Sequence, residues 1–317
     1  LHQYLQSHPL TLKERLIAYL PRYAPWASRI APLVNLRDAL PGFAWLSEKL
    51  LGLSARRSLP QWTGDTFFAR PGSTQGGGTI NGEVVLLVDT FNNYFESDNA
   101  RAALAVLRAA GYLVHLPRAV NEARPLCCGR TFLAAGLVDE ARAEARRMLE
   151  TLKPFVERGV PVIGLEPSCL FGLRDEFLSM LPGSDTAALA MQAMLFEEFI
   201  AREADAGRLK LKLKALPQKK ALLHGHCHQK AFDAMPAVQK ALKLVPDLAV
   251  ETVASSCCGM AGAFGYEAAH YEVSMKMAEA SLLPAVRKAD ADTLVVADGT
   301  SCRHQIHDGA QIGRAHV

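Results

Sequence analysis

From residue 83 the chain alternates short, continuous apolar runs with longer segments whose apolar residues recur every three or four positions. EVVLLVDT (83–90) carries a short apolar run rich in β-branched residues, which predicts a buried strand. SDNARAALAVLRAAG (97–111) predicts a helix, capped by Ser97 or Asp98 and closed by Gly111. YLVHLP (112–117) predicts a second strand, VDEARAEARRMLETLKPFVERG (138–159) a long helix, and VPVIGLEPSC (160–169) a strand finishing on Cys169. The second half replays this order. KKALLHGHC (219–227) predicts a strand, QKAFDAMPAVQKALKLVP (229–246) a helix, and LAVETVASSCCG (248–259) a strand. AAHYEVSMKMAEASLLPAVRKA (268–289) and DTLVVADGTSC (292–302) then give helix and strand. Between the halves, residues 186–207 predict one long helix.

Strand–helix alternation of this kind predicts an α/β fold with mostly parallel sheets flanked by helices. The replay predicts two similar domains related by a pseudo-two-fold. Residues 1–55 carry helical periodicity cut short by Pro21, Pro25, Pro32 and Pro41. The expected organisation is therefore an N-terminal helical segment and linker (1–80), a first repeat (81–215) and a second repeat (216–317). RPGSTQGGG (70–78) reads as a flexible loop; the lysine and hydroxyl residue of a phosphate loop do not follow its glycines.

Composition narrows the class. The chain has 317 residues, half of them hydrophobic, with a net charge of +3. That balance suits a globular protein and does not suggest a nucleic-acid partner. KLKLKALPQKK (210–220) is the most basic stretch and reads as a solvated strand and turn. No run approaches a membrane span, and the polar start does not read as a secretory signal. Seven clustered cysteines point to a reducing, cytoplasmic setting. A first residue of Leu suggests a fragment of a longer polypeptide.

The cysteines carry the chemistry. Two Cys-Cys-Gly doublets occur, and adjacent cysteines rarely pair with each other. The second repeat supplies four sulfurs at strand ends: Cys227, Cys257, Cys258 and Cys302. Four thiolates suit tetrahedral zinc or an iron–sulfur cluster. The first repeat supplies Cys127, Cys128 and Cys169, with Thr90 at the station of Cys227, so its site is expected to be degenerate or to hold zinc. His224, His226 and His228 alternate around Cys227, which puts the imidazoles on one face and the thiol on the other. His226 and His228, with Arg303 and His304 beside Cys302, are expected behind the ligands or in a pocket. Nucleophilic cysteine catalysis through Cys–His pairs is a further reading of the same residues.

GLEPSC, HGHCHQKA, SSCCGMAGAFGYE and DGTSCRHQI make the chain resemble the cysteine-rich CCG module over about residues 80–310. That module occurs in the cysteine-rich subunit of heterodisulfide reductase, in the iron–sulfur subunit of glycolate oxidase and at the C-terminus of fused FAD-linked D-2-hydroxy acid dehydrogenases, which it resembles most. The resemblance implies an oxidoreductase role: an electron-transfer module serving a FAD-linked oxidase of a 2-hydroxy acid (lactate, glycolate or 2-hydroxyglutarate type). It implies one 4Fe-4S-type cluster at the second repeat. FAD would sit elsewhere in the enzyme, and flavin and ferredoxin-type domains would be the partners, contacted by residues 1–55. Two departures bear on this: Thr90 replaces a cysteine, and neither CLFG (169–172) nor CRHQ (302–305) supplies a further one. The rival expectation is a structural zinc module that docks those domains without passing electrons.

Overall fold

The structure, a computed structural model, describes residues 1–5, 7–70, 81–119 and 124–311. The glycine-rich stretch of 70–78 lies outside the described residues apart from Arg70. The chain folds as two compact units. The first comprises residues 1–34, 61–199 and 206–211; the second comprises 35–60, 200–205 and 212–317.

The first unit is built on a four-stranded sheet in which every pairing is parallel: β1 (Gly82–Leu87), β2 (Tyr112–His115), β3 (Val162–Gly164) and β4 (Ala193–Leu195), in the order β2-β1-β3-β4. Val84, Val85, Leu86 and Leu87 are all buried, as a central parallel strand requires. The helix Ser97–Ala109 turns Ala100, Ala103, Leu104 and Leu107 inward, and Val138–Val156 turns in Ala141, Ala145, Met148 and Leu152. These are the apolar stripes read from the sequence.

The continuous helix expected over 186–207 is a correction. The segment divides into a helix Ser184–Gln192, strand β4 and a helix Phe196–Asp205. β4 pairs with β3 through Val162↔Ala193, Ile163↔Met194 and Gly164↔Leu195. Local helical preference loses there to pairing with the open edge of β3 and to burial of Ala193 and Leu195.

The second unit repeats the core of this plan with three parallel strands, β5 (Lys220–Leu223), β6 (Ala249–Thr252) and β7 (Leu294–Val296), in the order β6-β5-β7. The order matches β2-β1-β3, so the replay in sequence is a replay in topology. Cys258 and Cys302 are buried in an apolar cluster with Leu222, Val253, Met260, Leu282 and Ile306. Residues 35–60 are fastened to this unit by Arg57, whose guanidinium is fully buried. Its Nε donates to Gly265 O (3.0 Å), its Nη2 donates to Ser274 Oγ (2.9 Å), and its Nη1 lies 3.6 Å from Asp308 Oδ2. No described helix is long and apolar enough to cross a membrane.

Candidate metal centre

In an open parallel sheet, loops beyond the carboxyl ends of the strands bring together residues distant in sequence. In the second unit β5 ends at Leu223 and the helix Cys227–Ala231 begins four residues later. β6 ends at Thr252 and leads into Cys257 and Cys258. After β7 the helix Thr300–Ala310 begins, with Cys302 in its first turn. Cys227 and Cys302 thus sit in the first turns of helices rather than on strands. The positive end of the eleven-residue helix Thr300–Ala310 favours Cys302 as thiolate.

The sulfurs form a connected set. Cys227 contacts Cys257, Cys257 contacts Cys258, and Cys258 contacts Cys302. Cys258 and Cys302 are buried; Cys227 and Cys257 are partly exposed. Hydrogen bonding with Cys227, then with Cys258, drives the Cys257 thiol well below its ordinary range. Cys302 falls to about 5 through contact with Cys258, with His224 adding to the shift against burial. Cys227 is raised by sharing a proton with Cys257, and Cys258 is raised by Cys257 and Cys302. Two sulfurs shed protons readily and two retain them, so a bound cation would release the remainder.

The glycine of the doublet has two separate reasons. Gly259 adopts φ +89°, and a Cβ there would lie 2.2 Å from the carbonyl oxygen of Ser274. Its amide donates to Cys257 Sγ at 3.3 Å. The same device recurs in the first unit, where Gly129 has φ +76° and donates to Cys127 Sγ at 3.4 Å.

The histidines divide their tasks. His224 is buried, its Nδ1 lies 2.9 Å from Ser255 Oγ, and its Nε2 is buried without a hydrogen-bond partner. One ligand atom each from His224, Cys258 and Cys302 lie within 4.8 Å of one another, a grouping that fits a metal. Strand alternation predicts His224 turned away from the sulfurs, and the structure corrects this. The strand ends at Leu223, and the alternation ends with it. His226 caps the helix that carries Cys227: its Nδ1 accepts from the His228 amide at 3.1 Å, and Gln229 completes a capping box. A Cβ at Gly299 would fall 2.4 Å from the His226 ring, so the cap and the turn before Cys302 fit only because residue 299 is glycine. His228 stacks on His226 with ring centroids 5.2 Å apart.

Arg303 donates to the carbonyls of Ala297 (2.8 Å) and Asp298, holding the turn that delivers Cys302. His304 meets Tyr266 edge-on. Nothing in the sequence pattern singles out Lys230. Its Nζ donates to the carbonyl oxygens of Ser255 and Ser256, fixing the approach to Cys257.

In the first unit, Cys127, Cys128 and Cys169 are buried and contact one another through Cys128. Thr90 opens the helix Thr90–Tyr94, with Asp89 as its cap. Asp89 thus stands where His226 stands in the second unit, and Glu166, capping the helix that carries Cys169, stands where Gly299 does. Both carboxylates are buried. Contact with Cys128 draws the Cys169 thiol down, but burial and the charges of Asp89 and Glu166 carry it up to about 12. Cys127 is raised by its bond to Cys128 and by burial. Imidazoles favour thiolate in the second unit, and carboxylates oppose it in the first.

Residues 221–307 match the cysteine-rich domain family designated CCG. Over 309 residues the chain is 28% identical to a subunit of the anaerobic glycerol-3-phosphate dehydrogenase of Escherichia coli K12, covering 96% of this chain and 75% of that protein. It is 25% identical over 307 residues to the D-2-hydroxyglutarate dehydrogenase of the same organism, covering 93% of this chain and 29% of the relative. Lactate utilization protein A of Bacillus licheniformis is 25% identical over 236 residues, 73% of this chain and 92% of the relative. No solved structure matches.

Proposed function

We propose, from the premise that residues 221–307 form a cysteine-rich domain of the CCG family, that this chain is the electron-transfer module of a FAD-linked oxidoreductase acting on a 2-hydroxy acid or a similar small substrate. Cys227, Cys257, Cys258 and Cys302 hold one 4Fe-4S-type cluster. The observation that carries this reading is the connected set of four sulfurs in the second unit, with a ring nitrogen of the buried His224 within 4.8 Å of its inner pair, Cys258 and Cys302. Soft thiolates and an imidazole suit iron or zinc and not magnesium or calcium. A cluster held there would supply one-electron storage. The chain's own residues set the conditions: the apolar cluster around Cys258 and Cys302 excludes water, and the Gly259 amide donates to sulfur. The partly exposed Cys227 and Cys257 form the edge facing an electron donor. Flavin and ferredoxin-type domains are the partners. Exposed apolar side chains support this, Trp26, Ile30 and Leu33 on the first unit and Phe43, Trp45 and Leu50 on the second.

The anaerobically purified chain, reduced and examined by EPR, is expected to give an iron–sulfur signal that Cys258→Ser removes; an iron-loaded chain with no such signal in either redox state would overturn the reading. A second reading is a structural zinc module without electron transfer. The compactness of the His224–Cys258–Cys302 group favours it, since ligand atoms within 4.8 Å suit a single ion. Stoichiometric zinc in protein never exposed to oxygen would support it.

A further inference from the structure

The first unit contains a cavity of about 380 Å³, separate from its cysteines, whose chemistry the sulfur site does not use. We propose that it binds a small organic dianion, a phosphomonoester or a dicarboxylate. Its walls include Arg29, Arg118 and Arg124, together with Tyr94, Asn93 and Thr66, and no carboxylate lines it among the described residues.

Charge accounting gives the sign of the ligand. Arg124 grips the buried Glu144 with two hydrogen bonds, at 2.7 and 2.9 Å, and Arg147 donates to the same carboxylate at 2.8 Å. Burial works against ionisation of Glu144, but Arg124 and Arg147 hold its carboxyl below the ordinary range. Arg22 Nε lies 3.7 Å from the same carboxylate, so Arg124 and Arg147 are engaged by Glu144 and neither is counted toward a ligand. Arg29 and Arg118 add two positive charges at the cavity, and Asp65 nearby is turned to Arg101 at 3.1 Å. Arg29 and Arg118 by themselves match the two charges of a phosphomonoester or dicarboxylate, whose oxygens fit guanidinium forks.

The groups are held in place before any ligand arrives. The Arg118 guanidinium lies 4.4 Å from the centre of the Phe68 ring and donates to the Phe68 carbonyl at 2.8 Å. The Arg29 guanidinium lies 5.0 Å from the centre of the Trp26 ring. Stacking of this kind limits the entropy lost when the forks engage an oxyanion. Tyr94, buried, lines the same cavity, and burial pushes its phenol up to about 12 against the charges of Arg124, Arg118 and Arg29, so it stays protonated. The phenol O–H supplies a neutral donor in the cavity wall. A volume of this size accommodates a small metabolite and excludes a dinucleotide.

The test uses the full chain and calorimetric titration with three probes: inorganic phosphate, phenyl phosphate and succinate. Chloride and glycerol serve as controls for ionic strength and for an uncharged polyol. Saturable binding of at least one dianion at one site per chain is expected, and comparison of phenyl phosphate with succinate identifies the headgroup. Arg118→Gln and Arg29→Gln, both at exposed side chains, should each weaken binding by about tenfold or more, and Tyr94→Phe by several-fold. Unchanged circular dichroism of Arg29→Gln separates lost binding from lost folding. Absence of saturable binding for all three probes, or unchanged affinity in both arginine variants, would overturn the proposal. Arg124 is left intact because it also neutralises Glu144.

Discussion

Thr90 and Cys227 occupy one position in two similar frames: each opens the short helix that follows the central strand of its sheet. The surroundings differ as much as the residues do. Cys227 follows a capping histidine and faces Cys257, whereas Thr90 follows a buried aspartate near three thiols raised above their ordinary range. Metal content should therefore reside in the second unit. Cys258→Ala is expected to abolish iron binding, and Cys128→Ala to leave iron per chain within about a tenth of its starting value. Colorimetric iron analysis of both variants distinguishes them, and equal losses would place a second occupied site in the first unit.

Thiol reactivity should follow the same division. Cys257 combines partial exposure with a strongly lowered thiol, while Cys127, Cys128 and Cys169 are buried and raised. Because the thiolate is the nucleophile, iodoacetamide at pH 7 should label Cys257 first in metal-free protein. The first-unit cysteines should react only after denaturation. Peptide mass mapping gives the order, and prior metal loading should protect Cys257.

Gly259→Ala meets two obstacles at once, a left-handed backbone and a carbonyl oxygen 2.2 Å from the new methyl. The expected loss of stability is about 3 kcal/mol, combining backbone strain with overpacking. Loss of the Cys257 loop geometry should accompany it. Gly129→Ala carries the backbone strain but a closest contact of 3.0 Å, so its cost should be smaller. Denaturant unfolding of the two variants checks the ranking.

Asp89 supplies a pH dependence of defined sign. Burial, then the charge of Glu166, raises its carboxyl from 3.8 to about 6, against the hydrogen bonds it accepts from Asn92 and Phe91. A raised folded-state value means that the native unit binds the proton more tightly than the unfolded chain. Its stability contribution is thus complete below about pH 4 and is lost as pH rises through about 6. Asp89→Asn keeps a competent helix cap and should stabilise the first unit at pH 7 by up to about 3 kcal/mol, with little effect at pH 4. Hydrogen exchange of the β1 amides measures this, and a stabilisation independent of pH would contradict it.

Most of the frame was legible in sequence because β-branched runs and amphipathic stripes impose distinct periods. Val84 to Leu87 and the stripe from Ala100 to Leu107 needed nothing nonlocal to be read. Residues 193–195 were not legible: their strand exists because β3 offers an open edge, a fact absent from the local pattern. The sulfur set was visible through repetition. Strand alternation misplaces His224 because the strand stops at Leu223, one residue before it. Lys230 is invisible in the sequence because its partners are backbone carbonyls, which leave no sequence signature. The opposition of Asp89 and Glu166 to His226 and Gly299 emerges only once the helix caps are aligned in space.

Iron and acid-labile sulfide stoichiometry of the anaerobically purified chain decides what the four sulfurs of the second unit hold. A 4Fe-4S-type cluster there gives about four irons and about four sulfides per chain, both lost in Cys258→Ser. One zinc per chain without sulfide, or a metal-free chain under the same anaerobic conditions, would contradict it.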